Sequence, residues 1–70
     1  MKDIVISTEN IKLDSFLKLV GEAQTGGEAK QMIISGKVSV NGEVCVSRGK
    51  KLVSGNVVLI GTNEYRVVYE

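Results

Sequence analysis

Apolar residues repeat first with helical spacing and later with strand spacing. Near the start, four of them occur at i, i+3, i+4 and i+7, which places them on one face of a helix. These are Leu13, Phe16, Leu17 and Val20. Polar residues between them are left toward solvent, and Gly21 is expected to end this first helix.

A second helix is predicted from about Gly26 to Ser35. Thr25 and Glu28 have the S/T-x-x-E spacing of a capping box, in which each side chain satisfies a backbone N–H at the helix start. Gly36 can adopt the left-handed conformation that ends a helix. A helix this short does not persist alone, so its apolar face must dock on the first helix.

Alternating residues predict strands on both sides of the helices. One strand is expected over residues 3–7, before the polar residues 8–10. Val38 and Val40 begin a hairpin, Asn41-Gly42 supplies its type I′ turn, and the chain returns over residues 44–46. After a turn at residues 54–56, strands over 57–60 and 65–69 form a second hairpin. The expected class is α+β: two short packed helices against a small sheet made largely of hairpins.

Size and composition indicate a single domain over residues 1–70. The chain is 43% hydrophobic with three aromatic residues and no proline, so the core must consist mainly of aliphatic side chains. No apolar stretch approaches the roughly 20 residues of a membrane span, and the start does not resemble a signal peptide. We therefore expect a cytoplasmic protein that does not contact membranes.

Nine apolar residues are expected to be mostly buried. They are Leu13, Phe16, Leu17, Ala29, Met32, Ile33, Val38, Val40 and Cys45. Cys45 would pair with Val38 across the two-residue turn, so we interpret it as a small core residue rather than a reactive thiol. Phe16, Tyr65 and Tyr69 are expected to cover the core or the sheet rather than to stack on bases.

The chain offers few groups for catalysis. It has no histidine and one cysteine, and its carboxylates are scattered, so we expect no enzyme, no metal site, no cofactor and no small-molecule substrate. We do not expect a ubiquitin-like sulfur carrier, because the sequence reads Val67-Val68-Tyr69-Glu70 where such a carrier has Gly-Gly.

Positive charge is concentrated in one part of the chain. Residues 30–51 carry five cations against Glu43 and sum to +4, whereas the whole chain has a net charge of +1. A localised patch matters more for nucleic-acid binding than net charge does. From composition alone, however, a solvated face explains such lysines better.

Two strings near this patch resemble a known family. Residues Lys12 to Leu17 read basic-Leu-Asp-x-x-Leu, and Ile33 to Gly42 read Ile-x-x-Gly-x-Val-x-Val-Asn-Gly. In this order and with this gap they resemble the S-four-type RNA-binding domain, also called the alpha-L motif, over residues 12–60. The small stand-alone bacterial forms are the most similar. This resemblance implies binding of structured RNA, with ribosomal RNA or a ribosome assembly intermediate as the expected target.

The resemblance also implies where the RNA binds: the face made by the two helices and the following hairpin. We expect this face to centre on Lys30 and Lys37, and Lys50 and Lys51 are included for their charge. The complete candidate set is Lys12, Lys18, Lys30, Lys37, Arg48, Lys50 and Lys51. The loop over residues 21–28 is acidic where the family usually has arginine, which predicts reduced affinity. A monomeric RNA-binding protein is expected, and the alternative is a protein-interaction module that keeps the fold without binding RNA.

Overall fold

Seven strands and two helices make up the fold, in a computed structural model that describes all of residues 1–70. Five strands form one sheet in the order β1-β7-β6-β3-β4, and β2 pairs with β5 in a separate two-stranded ribbon. The elements are β1 (Lys2–Ile6), β2 (Asn10–Lys12), α1 (Leu13–Leu19), α2 (Gly26–Ile34), β3 (Val38–Val40), β4 (Glu43–Val44), β5 (Lys51–Val53), β6 (Val57–Ile60) and β7 (Asn63–Tyr69). The two helices share one core with the mixed sheet, so the predicted α+β class is confirmed.

Both helices end at the glycines that were predicted to end them. Gly21 has φ +83° and Gly36 has φ +81°, the left-handed region that glycine adopts without a steric penalty. After α2, the Gly36 N–H donates to the carbonyl of Ile33 and the Lys37 N–H to that of Met32. These two bonds are the Schellman pattern, which satisfies carbonyls that a helix end leaves free.

The start of α2 carries a cap that differs slightly from the predicted box. The Thr25 Oγ1 accepts the Glu28 N–H at 3.1 Å, as expected. The Glu28 carboxylate accepts the N–H of Gln24 at 3.3 Å, rather than that of Thr25 itself. The carboxylate therefore ties the preceding loop residue to the helix.

The sheet contains both predicted hairpins and one pairing that was not predicted. Asn41 (φ 52°) and Gly42 (φ 86°) form the turn between β3 and β4, and both angles have the sign that a type I′ turn requires. β1 joins the sheet by parallel pairing with β7, which places the first strand of the chain beside the last. Because these strands lie at opposite ends of the sequence, no local pattern indicates that they pair.

The prediction for residues 44–46 was wrong in part. β4 comprises only Glu43–Val44, and Cys45 continues the pairing by one bond from its N–H to the Val38 carbonyl at 2.9 Å. Val46 is 60% exposed. Beyond Cys45 the chain leaves the sheet, and the carbonyls of Arg48 and Lys50 accept N–H groups from the start of α1.

The ribbon of β2 and β5 was not predicted. Residues 8–10 were assigned to a polar boundary followed directly by the helix, but Asn10–Lys12 pairs antiparallel with Lys51–Val53. Three-residue strands are too short to show a clear period in sequence. Their pairing, and the burial of Leu52 beneath them, come from the tertiary fold.

The core consists of fourteen buried residues, all of them hydrophobic. Seven of the nine predicted core residues are among them, whereas Met32 and Cys45 pack against the core with part of their surface exposed. Met32 lies at the edge of the apolar face of α2, and Cys45 follows an edge strand, so neither is covered on all sides. The buried residues are Ile6, Leu13, Phe16, Leu17, Ala23, Ala29, Ile33, Val38, Val40, Leu52, Val58, Ile60, Tyr65 and Val67.

Candidate nucleic-acid interface

The β2–β5 ribbon places two predicted site residues side by side. Lys12 at the end of β2 and Lys51 at the start of β5 are direct partners in the strand register, and both are exposed. Like charges directly opposite each other across two strands are destabilising. The ribbon therefore holds positive charge together at some cost to folding.

The chain just before β5 brings two further cations to the same place. The first N–H groups of α1 donate to this segment: Leu13 to the carbonyl of Lys50 at 2.8 Å, and Asp14 to that of Arg48 at 3.2 Å. These bonds fix the backbone of the segment against the helix start, where Lys12 is the N-cap residue. We call Lys12, Arg48, Lys50 and Lys51 the ribbon cluster.

The same hydrogen bonds decide how this region can hold an anion. A helix start usually offers free N–H groups to a phosphate. In α1 the first two N–H groups are taken by backbone carbonyls, and the third, that of Ser15, donates to the Asp14 carboxylate at 2.7 Å. An anion at the ribbon cluster must therefore be bound by the cationic side chains.

The other three predicted cations lie on the helices. Lys18 is in the last turn of α1, where a positive charge also interacts favourably with the helix dipole. Lys30 is exposed on α2, and Lys37 follows the glycine that ends α2. No hydrogen bond or strand register connects Lys18, Lys30 or Lys37 with the ribbon cluster.

All seven predicted cations are exposed and free of ion pairs. The structure contains one ion pair, between Arg66 and Asp3 at 2.9 Å. It joins β7 and β1, at the opposite edge of the sheet from β3 and β4. The hydrogen bond from Arg66 to Asp3 raises the pKa of Arg66 above its usual value, and the negative charge of Asp3 adds a smaller effect in the same direction. The candidate cations therefore keep their full capacity to bind an anionic partner.

The acidic loop between the helices is tied down by its own carboxylates. Glu22 Oε2 accepts the Tyr65 hydroxyl at 2.6 Å and Asn63 Nδ2 at 2.9 Å, which fastens the loop to β7. The hydrogen bond to Glu22 raises the pKa of Tyr65, with burial and the negative charge of Glu22 adding to the effect. This role of Glu22 could not be predicted from the sequence, because Glu22 and Tyr65 are 43 residues apart and no motif links them.

Two of the three aromatic residues, Phe16 and Tyr65, are buried in the core as predicted, whereas Tyr69 is not. Phe16 is fully buried and meets Tyr65 edge to face, with ring centroids 6.2 Å apart and an interplanar angle of 81°. Tyr69 is 46% exposed at the end of β7. Phe16 and Tyr65 therefore do not offer a platform for stacking bases.

The structure shows neither a group of metal-binding side chains nor a helix that could cross a membrane. No three or more of its acidic and cysteine side chains come together in a group that would hold a metal ion. Neither helix has the length and apolar character needed to span a bilayer.

Comparison with known sequences identifies a family and a close relative. The model of the family described as the S4 domain matches residues 4–68. A Bacillus subtilis (strain 168) protein named "Probable ribosome maturation protein RlbA" is 46% identical over 66 residues, and the match covers 93% of each of the two chains.

Two solved structures share the fold. The solution structure of YbcJ from E. coli, described as revealing an alfaL motif involved in RNA-binding, matches with a TM-score of 0.72 and 30% identity. That match covers 97% of this chain and 87% of YbcJ. The 30S ribosomal protein S4e from Thermoplasma acidophilum matches with a TM-score of 0.68 at 24% identity. That match covers 91% of this chain but only 34% of the ribosomal protein. The likeness shows that the two share a fold.

Proposed function

Because the chain belongs to the S4 domain family, we propose that it binds structured RNA, namely ribosomal RNA or a ribosome assembly intermediate. The name of the Bacillus relative connects that protein with ribosome maturation, and the description of YbcJ connects its alfaL motif with RNA-binding. We carry both associations to this chain as support. The protein acts as a cytoplasmic monomer, without a cofactor and without catalysis.

One observation carries the proposal: the ribbon cluster. Four cations that the fold gathers from two distant segments are exposed and unpaired, and two of them face each other directly. Such an arrangement weakens the free protein and becomes favourable when phosphates neutralise it. The cluster is therefore better explained by an anionic partner than by folding.

Recognition depends on phosphates and shape more than on base sequence. Phe16 and Tyr65 are used in the core, and the α1 start has no free N–H groups for hydrogen bonding to RNA. At the ribbon cluster, lysine and arginine side chains remain as the contacting groups, which suits folded RNA recognised by its backbone. Lys18, Lys30 and Lys37 extend the surface along the helices.

The salt dependence of binding tests this proposal. With about four cations on phosphates, log affinity for a structured RNA should fall with log salt at a slope of roughly −3 to −4. Lys12→Ala and Lys51→Ala should each flatten the slope by about one unit and weaken binding to different RNA sequences alike. Lys2→Ala, an exposed lysine on β1, is the matched control and should leave the slope unchanged.

The helix cations are tested separately. A Lys30→Glu, Lys37→Glu double variant, shown by circular dichroism to be folded, should bind structured RNA more weakly than the parent. If this variant and the Lys12→Ala, Lys51→Ala variant both bind as the parent does, the proposed surface is wrong. The alternative function, a protein-interaction module, would then explain the protein better.

A further inference from the structure

An open groove lies beside the ribbon cluster, between the β3–β4 hairpin and the segment that follows β4. Its volume is about 440 Å³, at the small end of the range of about 300–1,000 Å³ for small-molecule sites. Val44 and Val46 line it and are 62% and 60% exposed, while Cys45 lines it partly buried. The groove is large enough for one nucleoside and presents apolar side chains to it.

The hairpin side of the groove is held rigidly. Asn41 is fixed to β6 by two bonds: its N–H donates to the Val57 carbonyl at 2.8 Å, and its Oδ1 accepts the Val57 N–H at 2.9 Å. The Asn41 Nδ2 has no partner within the chain and remains free to donate. A preformed wall lowers the cost of ordering a bound group.

Charge connects the groove to the proposed RNA surface. Lys50 lines the groove and belongs to the ribbon cluster. Glu43 also lines the groove, and its carboxylate makes no ion pair and no hydrogen bond. We infer, on the basis of the proposed function, that this groove receives one unpaired nucleobase of the bound RNA, and that it prefers guanine.

The preference for a base over a phosphate follows from the lining. A carboxylate among apolar side chains repels a phosphate, whereas it accepts hydrogen bonds from a base. Guanine presents two adjacent N–H donors on its Watson–Crick edge, which match the two oxygens of the Glu43 carboxylate. Uracil offers a single donor there. Lys50 is then placed to meet the phosphate next to the base.

A peptide strand suits the groove less well. Addition of a strand at a sheet edge depends on main-chain hydrogen bonds along that edge. The edge strand here, β4, contributes only Glu43 and Val44 to the ladder. Short edge strands of this kind resist pairing with another chain.

Four RNA hairpins test the inference: one fully paired and three carrying a single bulged guanosine, adenosine or uridine. The parent protein should bind the bulged guanosine hairpin about tenfold more tightly than the uridine or paired forms. Glu43→Gln should reduce this preference to less than about threefold. Glu64→Gln, an exposed acid on β7 outside the groove, is the matched control and should keep it.

The single cysteine reports directly on occupancy. At saturating RNA, the bulged guanosine hairpin should slow alkylation of Cys45 several-fold relative to the paired hairpin. Val44→Ser should weaken binding of the guanosine hairpin selectively, whereas Val5→Ser, at an exposed valine on β1, should not. Circular dichroism of each variant checks that it is folded.

The outcomes separate the inference from the proposed function. Equal binding of all four hairpins, still dependent on salt and on Lys12 and Lys51, would overturn the base site and leave RNA binding intact. No binding to any hairpin would overturn both. If Val44→Ser weakened binding to ribosomal particles but not to naked RNA, the groove would be a protein contact, and the base site would again be wrong.

Discussion

Two strand pairs differ in the charges that lie opposite each other: opposite charges in one and like charges in the other. In the β1–β7 pair, Asp3 lies opposite Arg66 in the register, and the two side chains form a bidentate ion pair with bonds of 3.0 and 2.9 Å. In the β2–β5 pair, Lys12 lies opposite Lys51 and neither has an ion-pair partner. Opposite charges stabilise a cross-strand pair and like charges destabilise it.

The same contrast extends to the neighbours of each pair. On β7, the side chains of Asn63 and Tyr65 both donate to Glu22. Around the ribbon, the first backbone N–H groups of α1 are hydrogen-bonded to carbonyls, while the cationic side chains have no ion-pair partner. Polar groups on β7 therefore hold the fold together, whereas those of the ribbon cluster are available to a partner.

The largest effect is expected from removing the buried anchor of the ribbon. Leu52 has no exposed surface and lies opposite Ile11 in the β2–β5 register. Leu52→Ala should lower the free energy of unfolding by about 2–5 kcal/mol, because it leaves a cavity beneath the ribbon. Val53→Ala on the same strand, at a 48% exposed residue, should change it by less than about 0.5 kcal/mol in urea unfolding. Equal midpoints for the two variants would contradict this account.

A smaller effect is expected where β7 holds the loop. Tyr65→Phe removes a hydrogen bond to a charged group and should cost about 1.5–3 kcal/mol. Because the pKa of Tyr65 is raised in the folded state above its ordinary value of 10.0, its contribution is complete below pH 10. It is lost as the pH rises through the higher pKa of the folded state, since the unfolded chain releases the proton first.

Unfolding midpoints measured between pH 8 and pH 11 test this sign. The parent should lose stability toward pH 11 more steeply than Tyr65→Phe does. Glu22→Gln, which keeps the shape of the side chain without its charge, should show a shallower loss than the parent. If the parent and Tyr65→Phe had parallel profiles, the bond between Tyr65 and Glu22 would not contribute to stability.

The smallest change in stability is expected for Lys12→Glu, which should affect stability and RNA binding in opposite directions. Lys12→Glu replaces a repulsive pair with an attractive one, so it should raise the free energy of unfolding by a few tenths of a kcal/mol. The same variant should bind structured RNA more weakly than the parent. Arg66→Glu places like charges opposite each other on β1 and β7, and it should lower the unfolding midpoint without changing RNA affinity. A Lys12→Glu variant that keeps full affinity would remove the ribbon from the proposed surface.

The candidate site was predicted as a set of residues but not as an arrangement. Charge and family resemblance selected all seven cations, including Lys50 and Lys51 outside the best-matched motifs. The predicted centre was Lys30 and Lys37, whereas the residues that the fold gathers most closely are Lys12 and Lys51. Their proximity depends on a three-residue strand pairing, which leaves almost no periodic signal in the sequence.

The acidic loop shows the same limit from another side. From the sequence, Glu28 was predicted to complete a capping box with Thr25, and the loop over residues 21–28 was predicted to lower RNA affinity because it lacks the family's arginines. In the structure, Glu28 accepts the Gln24 N–H at the α2 cap, and Glu22 ties the loop to Tyr65. The first contact spans four residues and was nearly predicted, while the second joins residues 43 positions apart in the sequence.

The sequence by itself determined the features whose causes lie within a few residues. Thr25 caps α2, Gly36 ends it, and Asn41-Gly42 turns the hairpin, because each depends on the dihedral angles and hydrogen bonds of immediate neighbours. The tertiary structure alone decided that β1 pairs with β7 and that Lys12 faces Lys51. Such pairings depend on how the whole core packs, and the energy that holds like charges together comes from apolar burial elsewhere in the chain.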